Sequence, residues 1–247
     1  MAILLGLAGS MHCLGQDSGQ QRVRDANAHT WWVYAGDHPV KGNWGVLSEM
    51  QVRRTDVAAG WQQLLLRQGV TYRLSPRVQL GGGYGFIRTH RYGDFPVPRA
   101  FNEHRFFEQV SVRQDVRKVG LDHRFRVEQR KIESFTGGWR NQNRFRYQLR
   151  GAIPLSGANV KRQQWYLFAG NEFFLHLAPN YGANRFDQNR AFAGIGWKVS
   201  RNNRVEISYL NQLLVQRSGR VEEFNHTLRI QFTSTAPLFS GAGKSTS

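Results

Sequence analysis

The chain has eight histidines and one cysteine, residue types that often carry catalysis. His90 and Asp94 lie four residues apart in the polar stretch THRYGDFPVPRAFN, where a histidine and a carboxylate could activate a water molecule. Acyl transfer needs a Ser or Cys nucleophile held by a histidine that a third group orients, and no stretch has that pattern. We therefore predict no catalytic residues and interpret the His90–Asp94 spacing as a chance pairing in a loop.

The sequence also predicts no metal site and no cofactor. His123 and His176 fall on different predicted strands, with no Cys and no local ligand spacing. The glycine run GGGYG (81–85) lies within a predicted strand and does not precede a helix, so it does not predict a phosphate-binding loop. It indicates close packing or curvature of a β-sheet.

Arginine is the dominant charged residue. The chain has 34 Lys and Arg against 17 Asp and Glu, a formal net charge of +17, and 28 of the 34 are arginine. Such a charge often indicates nucleic-acid binding, but these arginines recur at alternate positions and not in one patch. In HRFRVEQRKIE (123–133), Phe125 and Val127 alternate with charged residues, so one face of a strand is apolar and the other charged. The charged set comprises Arg67, Arg113, Arg124, Arg126, Glu128, Arg130, Arg144, Arg146, Arg150, Glu172, Arg190, Glu206 and Arg229.

The same period-two alternation runs through most of the chain, and no segment has a sustained helical period. It predicts one all-β domain with strands at about 30–37, 43–54, 61–74, 77–89, 104–117, 121–133, 142–154, 162–176, 188–199, 203–215 and 222–233. Tight turns (74–77, 117–120 and 200–203) alternate with longer polar connections (89–102, 134–142 and 178–188).

Alternation alone leaves two architectures open. A soluble barrel would bury the apolar set and expose the arginines, whereas a membrane barrel would do the reverse. Apolar runs of about ten strand residues, the length of a tilted membrane-crossing strand, favour the membrane barrel. Aromatic residues on the apolar face, such as Tyr72, Trp165, Trp197 and Tyr209, are typical of interfacial belts. We therefore predict a closed antiparallel up-and-down transmembrane β-barrel of about 10–12 strands. Because bacterial single-chain barrels have even strand numbers, ten and twelve both remain open.

The chain divides at its ends. Residues 1–15 are predicted as a signal peptide, although the basic start of such a segment is missing. Residues 16–29 form an N-terminal lead-in, 30–233 the barrel and 234–247 a flexible tail. Cys13 invites a lipoprotein interpretation, but His12 precedes it where lipidation requires a small residue.

Several stretches carry a family resemblance when taken in order: LLLRQGVTYRLS (64–75), FRVEQRKIE (125–133), RFRYQLRGAIPL (144–155), FDQNRAFAGIGW (186–197) and EISYLNQ (206–212). With GYGFIRT and NEFFL between them, the chain resembles the outer-membrane-barrel-like proteins grouped as domain of unknown function 2490. The resemblance implies a barrel in the outer membrane of a Gram-negative-type cell, and it implies no activity. The tail after Phe232 departs from the pattern, since barrel chains often end on an aromatic residue.

We therefore expect an outer-membrane protein with a structural or passive-transport role and not an enzyme. Its charged lumen is either filled by paired side chains or forms a narrow, anion-preferring pore. Expected partners are the barrel-assembly machinery, outer-membrane lipid and lipopolysaccharide, the last contacted by Arg88, Arg91 and Arg99. No nucleic acid is expected. Two alternatives remain: an outer-membrane enzyme with a site at the loop end, and a soluble basic β-protein that binds polyanions.

Overall fold

The computed structural model describes residues 22–155, 165–177, 185–216 and 219–239, which form one closed β-barrel. Its strands are β1 Val23–Lys41, β2 Trp44–Thr55, β3 Gly60–Arg73, β4 Val78–Thr89, β5 Phe101–Val116, β6 Val119–Glu133, β7 Trp139–Pro154, β8 Trp165–His176, β9 Phe186–Lys198, β10 Asn203–Val215 and β11 Val221–Ser234. The predicted all-β barrel is confirmed. Each predicted strand corresponds to one observed strand. Among the described residues there is no helix with the length and hydropathy of a membrane span.

The barrel has eleven strands, so the expectation of an even number was wrong. Neighbouring strands pair antiparallel throughout, except where β1 meets β11 and the barrel closes with a parallel ladder. The strand number is odd because β1 is a full strand, which pairs with β2 from His29 and with β11 from Val23 to Gly36. An odd number of alternating strands leaves the first and last running in the same direction. We call this β1–β11 ladder the seam.

The barrel boundaries also differ from the predicted ones. Residues 23–29, predicted as part of the lead-in, belong to β1 and are paired with β11. The last strand extends through Ser234, one residue into the predicted tail. The predicted signal peptide, Cys13 and residues 240–247 of the tail lie outside the described residues.

The two ends of the barrel differ in their connections. At the end we call the turn end, residues 42–43, 74–77, 117–118, 155–164 and 199–202 join the strands, and 156–164 lie outside the described residues. At the loop end the connections are 56–59, 90–100, 134–138, 177–185 and 216–220, of which 178–184 and 217–218 are outside the described residues. The predicted division into short turns and longer loops therefore has two exceptions, the ten-residue connection 155–164 and the four-residue connection 56–59.

The outer face of the barrel is apolar. Side chains that the sequence placed on the apolar set point outward, and their exposed fractions include 54% for Val70, 45% for Leu167 and 47% for Ile207. Aromatic residues lie near both ends of this face. Near the turn end, Trp44 packs against Tyr72 and Trp165 stacks on Trp197, with ring centroids 4.8 and 5.7 Å apart. Near the loop end stand Trp61 and Trp139, both exposed.

The interior holds a second apolar set that the sequence analysis did not assign. A cluster from β1 and from β8 to β10 comprises Trp31, Val33, Tyr166, Phe168, Phe192 and Leu210. Further buried rings are Phe107 and Phe174. Strand β8, WYLFAGNEFFLH, shows the cause: its inward positions include Tyr166, Phe168 and Phe174, while its outward positions are also mostly apolar. Each face of such a strand is hydrophobic, so alternation alone does not reveal the inner rings.

The glycines of β3 and β4 allow these strands to approach closely. A Cβ at Gly83 would overlap the carbonyl oxygen of Gln68, and one at Gly69 would overlap that of Gly82. Gly82 differs, because a Cβ there would meet only the carbonyl oxygen of Phe107, at 3.4 Å. The glycine run therefore serves the packing of the wall.

We expect Gly83→Ala to destabilise the folded barrel by about 1–3 kcal/mol, since the new methyl group has to push the β3 backbone away. Thermal unfolding followed by circular dichroism measures this effect. Gly82→Ala is the matched control and should melt close to the unmodified protein. Equal melting temperatures for the two variants would contradict the close approach of β3 and β4 at Gly83.

Candidate functional site

The interior of the barrel contains one large cavity of about 1210 Å³. Its lining extends from Phe135 and Gly137 at the loop end to Asp122 and Arg204 near the turn end. Arginine, glutamine and glutamate side chains make up nearly half of the lining residues. The cavity is the candidate functional site because it brings the charged residues of many strands together.

Glu128 is the centre of the charge network. Its side chain is fully buried, and its carboxylate accepts hydrogen bonds from Arg144 and Arg146, each at 2.6 Å. Arg105 and Arg126 lie 3.4 and 3.8 Å from the same carboxylate. These contacts follow from strand register, since Glu128 stands directly opposite Arg144 in the β6–β7 ladder. A single buried carboxylate thus compensates arginines from three strands, which is favourable only where such hydrogen bonds are made.

Arg126 and Arg146 stand directly opposite each other in the β6–β7 ladder. Like charges at opposed positions repel, so the pair requires carboxylates nearby. Arg146 obtains them, because its guanidinium also donates to Glu172 at 2.7 Å. Arg126 donates to the amide oxygen of Gln109, and its nearest carboxylate is Glu128. The charge of Arg146 is therefore neutralised more completely than the charge of Arg126.

The lumen holds more arginines than carboxylates. Five of its carboxylates, those of Glu49, Glu103, Glu128, Glu172 and Asp187, have arginines of the largest charge network within 4.0 Å. Among the described residues these arginines number eight: Arg67, Arg105, Arg124, Arg126, Arg130, Arg144, Arg146 and Arg190. Arg53 is a ninth, 6% exposed, whose hydrogen bonds go to Gln51 and Gln63. Over the whole cavity, thirteen arginines and nine Asp or Glu side chains form the lining, and Glu128 is buried beside them, so positive charge remains in excess.

The inner aromatic rings support the arginines. Guanidinium carbons lie over Phe174 from Arg144, Arg146 and Arg190, at 5.0, 4.4 and 4.7 Å from the ring centroid. Arg53 lies 3.8 Å from the centroid of the Trp31 ring. A desolvated guanidinium gains electrostatic attraction from the face of such a ring. The rings therefore stabilise cations where carboxylates are too few.

Several inward N–H groups have no hydrogen-bond acceptor. Within the part of the chain that the structure describes, the buried donors without a partner include Arg67 Nε, Arg124 Nε, Arg126 Nη1 and Arg190 Nε. All four side chains line the cavity. Buried polar groups normally find partners, so these donors leave hydrogen-bonding capacity unused in the wall of the cavity.

The structure places twelve of the thirteen predicted lumen residues inside the barrel, and all of them except Glu128 line the cavity itself. Arg113 is the exception, and its prediction was wrong. It has the inward parity of β5 but lies near the turn end, where its side chain is 62% exposed and pairs with Asp115 at 3.7 Å. Sequence reasoning missed Arg53, Glu103 and Arg105. The alternation of Glu103, Arg105 and Phe107 on β5 was a signal that could have identified the last two.

The three arginines predicted to contact lipopolysaccharide lie at the loop end and are exposed. Arg88 donates to Asn102 at 2.9 Å, and Arg99 donates to the carbonyl oxygen of Ser134 at 3.0 Å. Arg91 belongs to the 90–100 connection.

His90 and Asp94 do not form a pair. In the described residues no hydrogen bond or ion pair joins them, and the His90 ring instead lies 5.7 Å from the Trp61 ring. Burial and the charge of Arg88 lower the pKa of His90. As for metals, no three His, Cys, Asp or Glu side chains within 22–155, 165–177, 185–216 and 219–239 are grouped to hold an ion.

The 90–100 connection is anchored to the inner wall beside the seam. Tyr92 donates its hydroxyl hydrogen to Glu223 at 2.8 Å, and its ring meets the edge of His29 at 5.3 Å. Burial, followed by the charge of Glu223, raises the pKa of Tyr92, so the hydroxyl remains a donor at neutral pH. Gln216 donates to the carbonyl oxygen of Phe95 at 3.0 Å.

Gly93 makes this anchoring possible. Its φ is +72°, and a Cβ there would lie 2.7 Å from Asn27 Oδ1 and 2.9 Å from Asp25 Oδ2. The loop therefore lies against β1, and Phe95 and Pro96 contribute to the cavity lining at the loop end. This connection narrows the mouth of the barrel.

Comparison with known proteins identifies one family. The model of the family described as Protein of unknown function (DUF2490) matches residues 28–225. An uncharacterized protein of Methylorubrum extorquens is 26% identical over 199 residues, covering 76% of this chain and 79% of the relative.

Two solved structures are similar in shape. The NanC porin aligns with a TM-score of 0.45 and 8% identity, covering 76% of this chain and 84% of the porin chain. The outer-membrane expressed OmpT of Vibrio cholerae aligns with a TM-score of 0.40 and 12% identity, covering 75% of this chain and 57% of that chain. Both TM-scores are below 0.5, and neither similarity bears on function.

We expect Tyr92→Phe to release the 90–100 connection, because the buried carboxylate of Glu223 loses its hydroxyl donor. Amide hydrogen exchange of peptides spanning 90–100, followed by mass spectrometry, should become about tenfold faster. Tyr84→Phe is the control, since Tyr84 lies on the outer face and donates no bond to this loop. Unchanged exchange in Tyr92→Phe would contradict the anchoring role.

Proposed function

Since the chain belongs to the DUF2490 family of proteins of unknown function, its role has to follow from its own geometry, and we propose that it is an outer-membrane β-barrel with a narrow, anion-preferring passage. The observation that carries this proposal is the excess of arginine over carboxylate along one continuous cavity. Rings of arginine or lysine attract anions and repel cations in known anion pores.

The outer face supports a membrane location. A closed barrel leaves no strand edge unpaired, which is the requirement for β-structure in lipid. The exposed apolar side chains and the aromatic residues near both ends match the surface expected of such a barrel. We place the protein in the outer membrane of a Gram-negative-type cell, inserted by the barrel-assembly machinery of that membrane. Arg88, Arg91 and Arg99 at the loop end would then face the phosphates of lipopolysaccharide.

The soluble alternative is less favourable. A polyanion-binding protein needs its arginines on an accessible surface, whereas Arg126, Arg144 and Arg146 are 2%, 3% and 6% exposed inside a closed wall. Nucleic acid would not reach them. Catalysis is not part of the proposal, because no observation on the described residues favours it.

The passage is proposed to be narrow. Trp31, Phe107, Phe174 and the arginines stacked on them occupy much of the middle of the lumen. The lining nonetheless reaches both ends of the barrel, which supports a passage over a completely filled interior. Small anions are thus the proposed permeating species.

We expect the purified, refolded protein to give anion-selective steps in a planar lipid bilayer. Reversal potentials in a potassium chloride gradient report the permeability ratio of chloride to potassium. Arg126→Gln and Arg190→Gln should each lower that ratio by roughly a factor of two, because each removes one mid-lumen charge.

Arg113→Gln is the matched control, since it removes the same charge from an exposed position outside the cavity. Its ratio should stay unchanged. A barrel that inserts and shows no conductance, or one that prefers potassium, would contradict the proposed passage.

We expect Val127→Arg to impair insertion into lipid vesicles, because Val127 lies on the outer face in the middle of β6. Arginine at the centre of the lipid-facing surface costs about 2–4 kcal/mol. The insertion yield, measured by protease protection, should fall. Leu74→Arg is the control, because Leu74 is 61% exposed in the turn 74–77. Full insertion of Val127→Arg would refute the lipid-facing assignment.

A further inference from the structure

Two pairs of arginines share an aromatic ring near the middle of the lumen. Arg67 and Arg126 lie over Phe107, with guanidinium carbons 5.3 and 4.9 Å from the ring centroid. Arg53 and Arg190 lie over Trp31 at 3.8 and 5.1 Å. Each ring thus gathers two like charges from different strands. We call these four arginines the mid-lumen arginines.

The mid-lumen arginines have few carboxylate contacts. Arg67 pairs with Glu49, but Arg126 and Arg190 lie 3.8 and 4.0 Å from carboxylates that other arginines contact more closely. Arg53 donates to glutamine oxygens. Their remaining bonds are also to amides, from Arg126 to Gln109 and from Arg190 to Gln188. The neutral amides accept hydrogen bonds from the guanidinium N–H groups but do not neutralise the positive charge of these arginines.

Uncompensated charges are costly in a buried place. Arg53, Arg67 and Arg126 are buried, and Arg190 is partly buried. A cation removed from water without a counter-charge is strongly destabilised. Water in the cavity can accept single hydrogen bonds, but it does not neutralise the positive charge that Arg53, Arg126 and Arg190 leave in surplus. Anions in the lumen do both, since they bring acceptors and negative charge to the same point.

The cavity wall identifies the place, because all four mid-lumen arginines line it. In the described part of the chain, Arg67 Nε, Arg126 Nη1 and Arg190 Nε also have no acceptor. We propose that the mid-lumen arginines form a discrete binding site for an oxyanion that carries two or more negative charges. This inference deepens the proposed function by naming the class of anion that the lumen prefers.

The chemistry of the site favours that class. Guanidinium groups present parallel N–H donors that match the oxygens of a carboxylate, phosphate or sulfate and not a spherical halide. Two arginine pairs with a joint surplus favour a ligand with two anionic groups, such as a dicarboxylate or a diphosphate, over one with a single group. The glutamines around them, Gln51, Gln63, Gln109 and Gln188, add neutral donors and acceptors to the same wall.

Isothermal titration calorimetry of the full-length protein in detergent tests the site, with succinate, pyrophosphate, acetate and chloride as probes at matched ionic strength. We expect succinate and pyrophosphate to bind saturably with about one ligand per chain, and at least tenfold more tightly than acetate or chloride. Equal affinities for succinate and acetate would overturn the assignment, as would unsaturable uptake.

Variants then locate the binding. Arg126→Gln and Arg190→Gln should each weaken succinate binding at least tenfold, while Arg113→Gln should leave it unchanged. Circular dichroism melts establish that each variant is folded, which we expect because each removes a charge in surplus. The melting temperature gives a second test: succinate should raise it for the unmodified protein and Arg113→Gln, and not for the two lumen variants. Binding unaffected by both lumen variants would place the site elsewhere and overturn the inference.

These results are independent of the conductance experiment. Saturable binding without conductance would mean that the site exists in a closed barrel and that the proposed passage is wrong. Anion-selective conductance without saturable binding would keep the passage and overturn the discrete site.

Discussion

The interior of this barrel depends on ion pairs that neutralise the positive charge of buried arginines. The carboxylates available for these pairs are fewer than the arginines. Glu128 is the clearest case, because one fully buried side chain lies within 4.0 Å of four guanidiniums from three strands. Glu172 has the same role for Arg124 and Arg146. Carboxylates at these two positions join β5 to β8 through their side chains, in addition to the backbone ladders. The positive charge that these carboxylates do not neutralise makes the cavity electropositive.

The aromatic rings of the interior also stabilise the buried arginines. A guanidinium is weakly hydrated and planar, so it can exchange water for the face of a ring at lower cost than an ammonium group. Phe174 receives three guanidiniums, and Trp31 and Phe107 receive two each. Stacking of this kind favours arginine over lysine at these six lumen positions, Arg53, Arg67, Arg126, Arg144, Arg146 and Arg190. Lysine would keep the charge without the stacking.

Sequence reasoning predicted the barrel and the strands because period-two alternation is a local signal, and the family because of the resemblance of several short stretches. It failed where position depends on distant parts of the chain. The length of β1 follows from its pairing with β11, which no local pattern reveals. Arg113 has the correct parity, but whether an inward residue lies in the lumen or beyond its end depends on the strand's tilt. The inner rings of β8 were missed because hydrophobic residues on both faces remove the contrast that alternation provides.

The parallel seam has a consequence for the order in which the barrel forms. Val23 pairs with Val221, so the final ladder joins segments that are almost the whole barrel apart in sequence. Ten strands can add one after another as local hairpins, while the free edge of β1 stays without its last partner until β11 has been made. An unpaired edge of this length is a template for pairing with other chains. Such long-range closure is slow, because the intervening chain loses conformational entropy before the contacts between β1 and β11 contribute any stabilisation. The nascent chain is therefore most vulnerable to aggregation just before the seam closes, and a chaperone that covers β1 would protect it at that step.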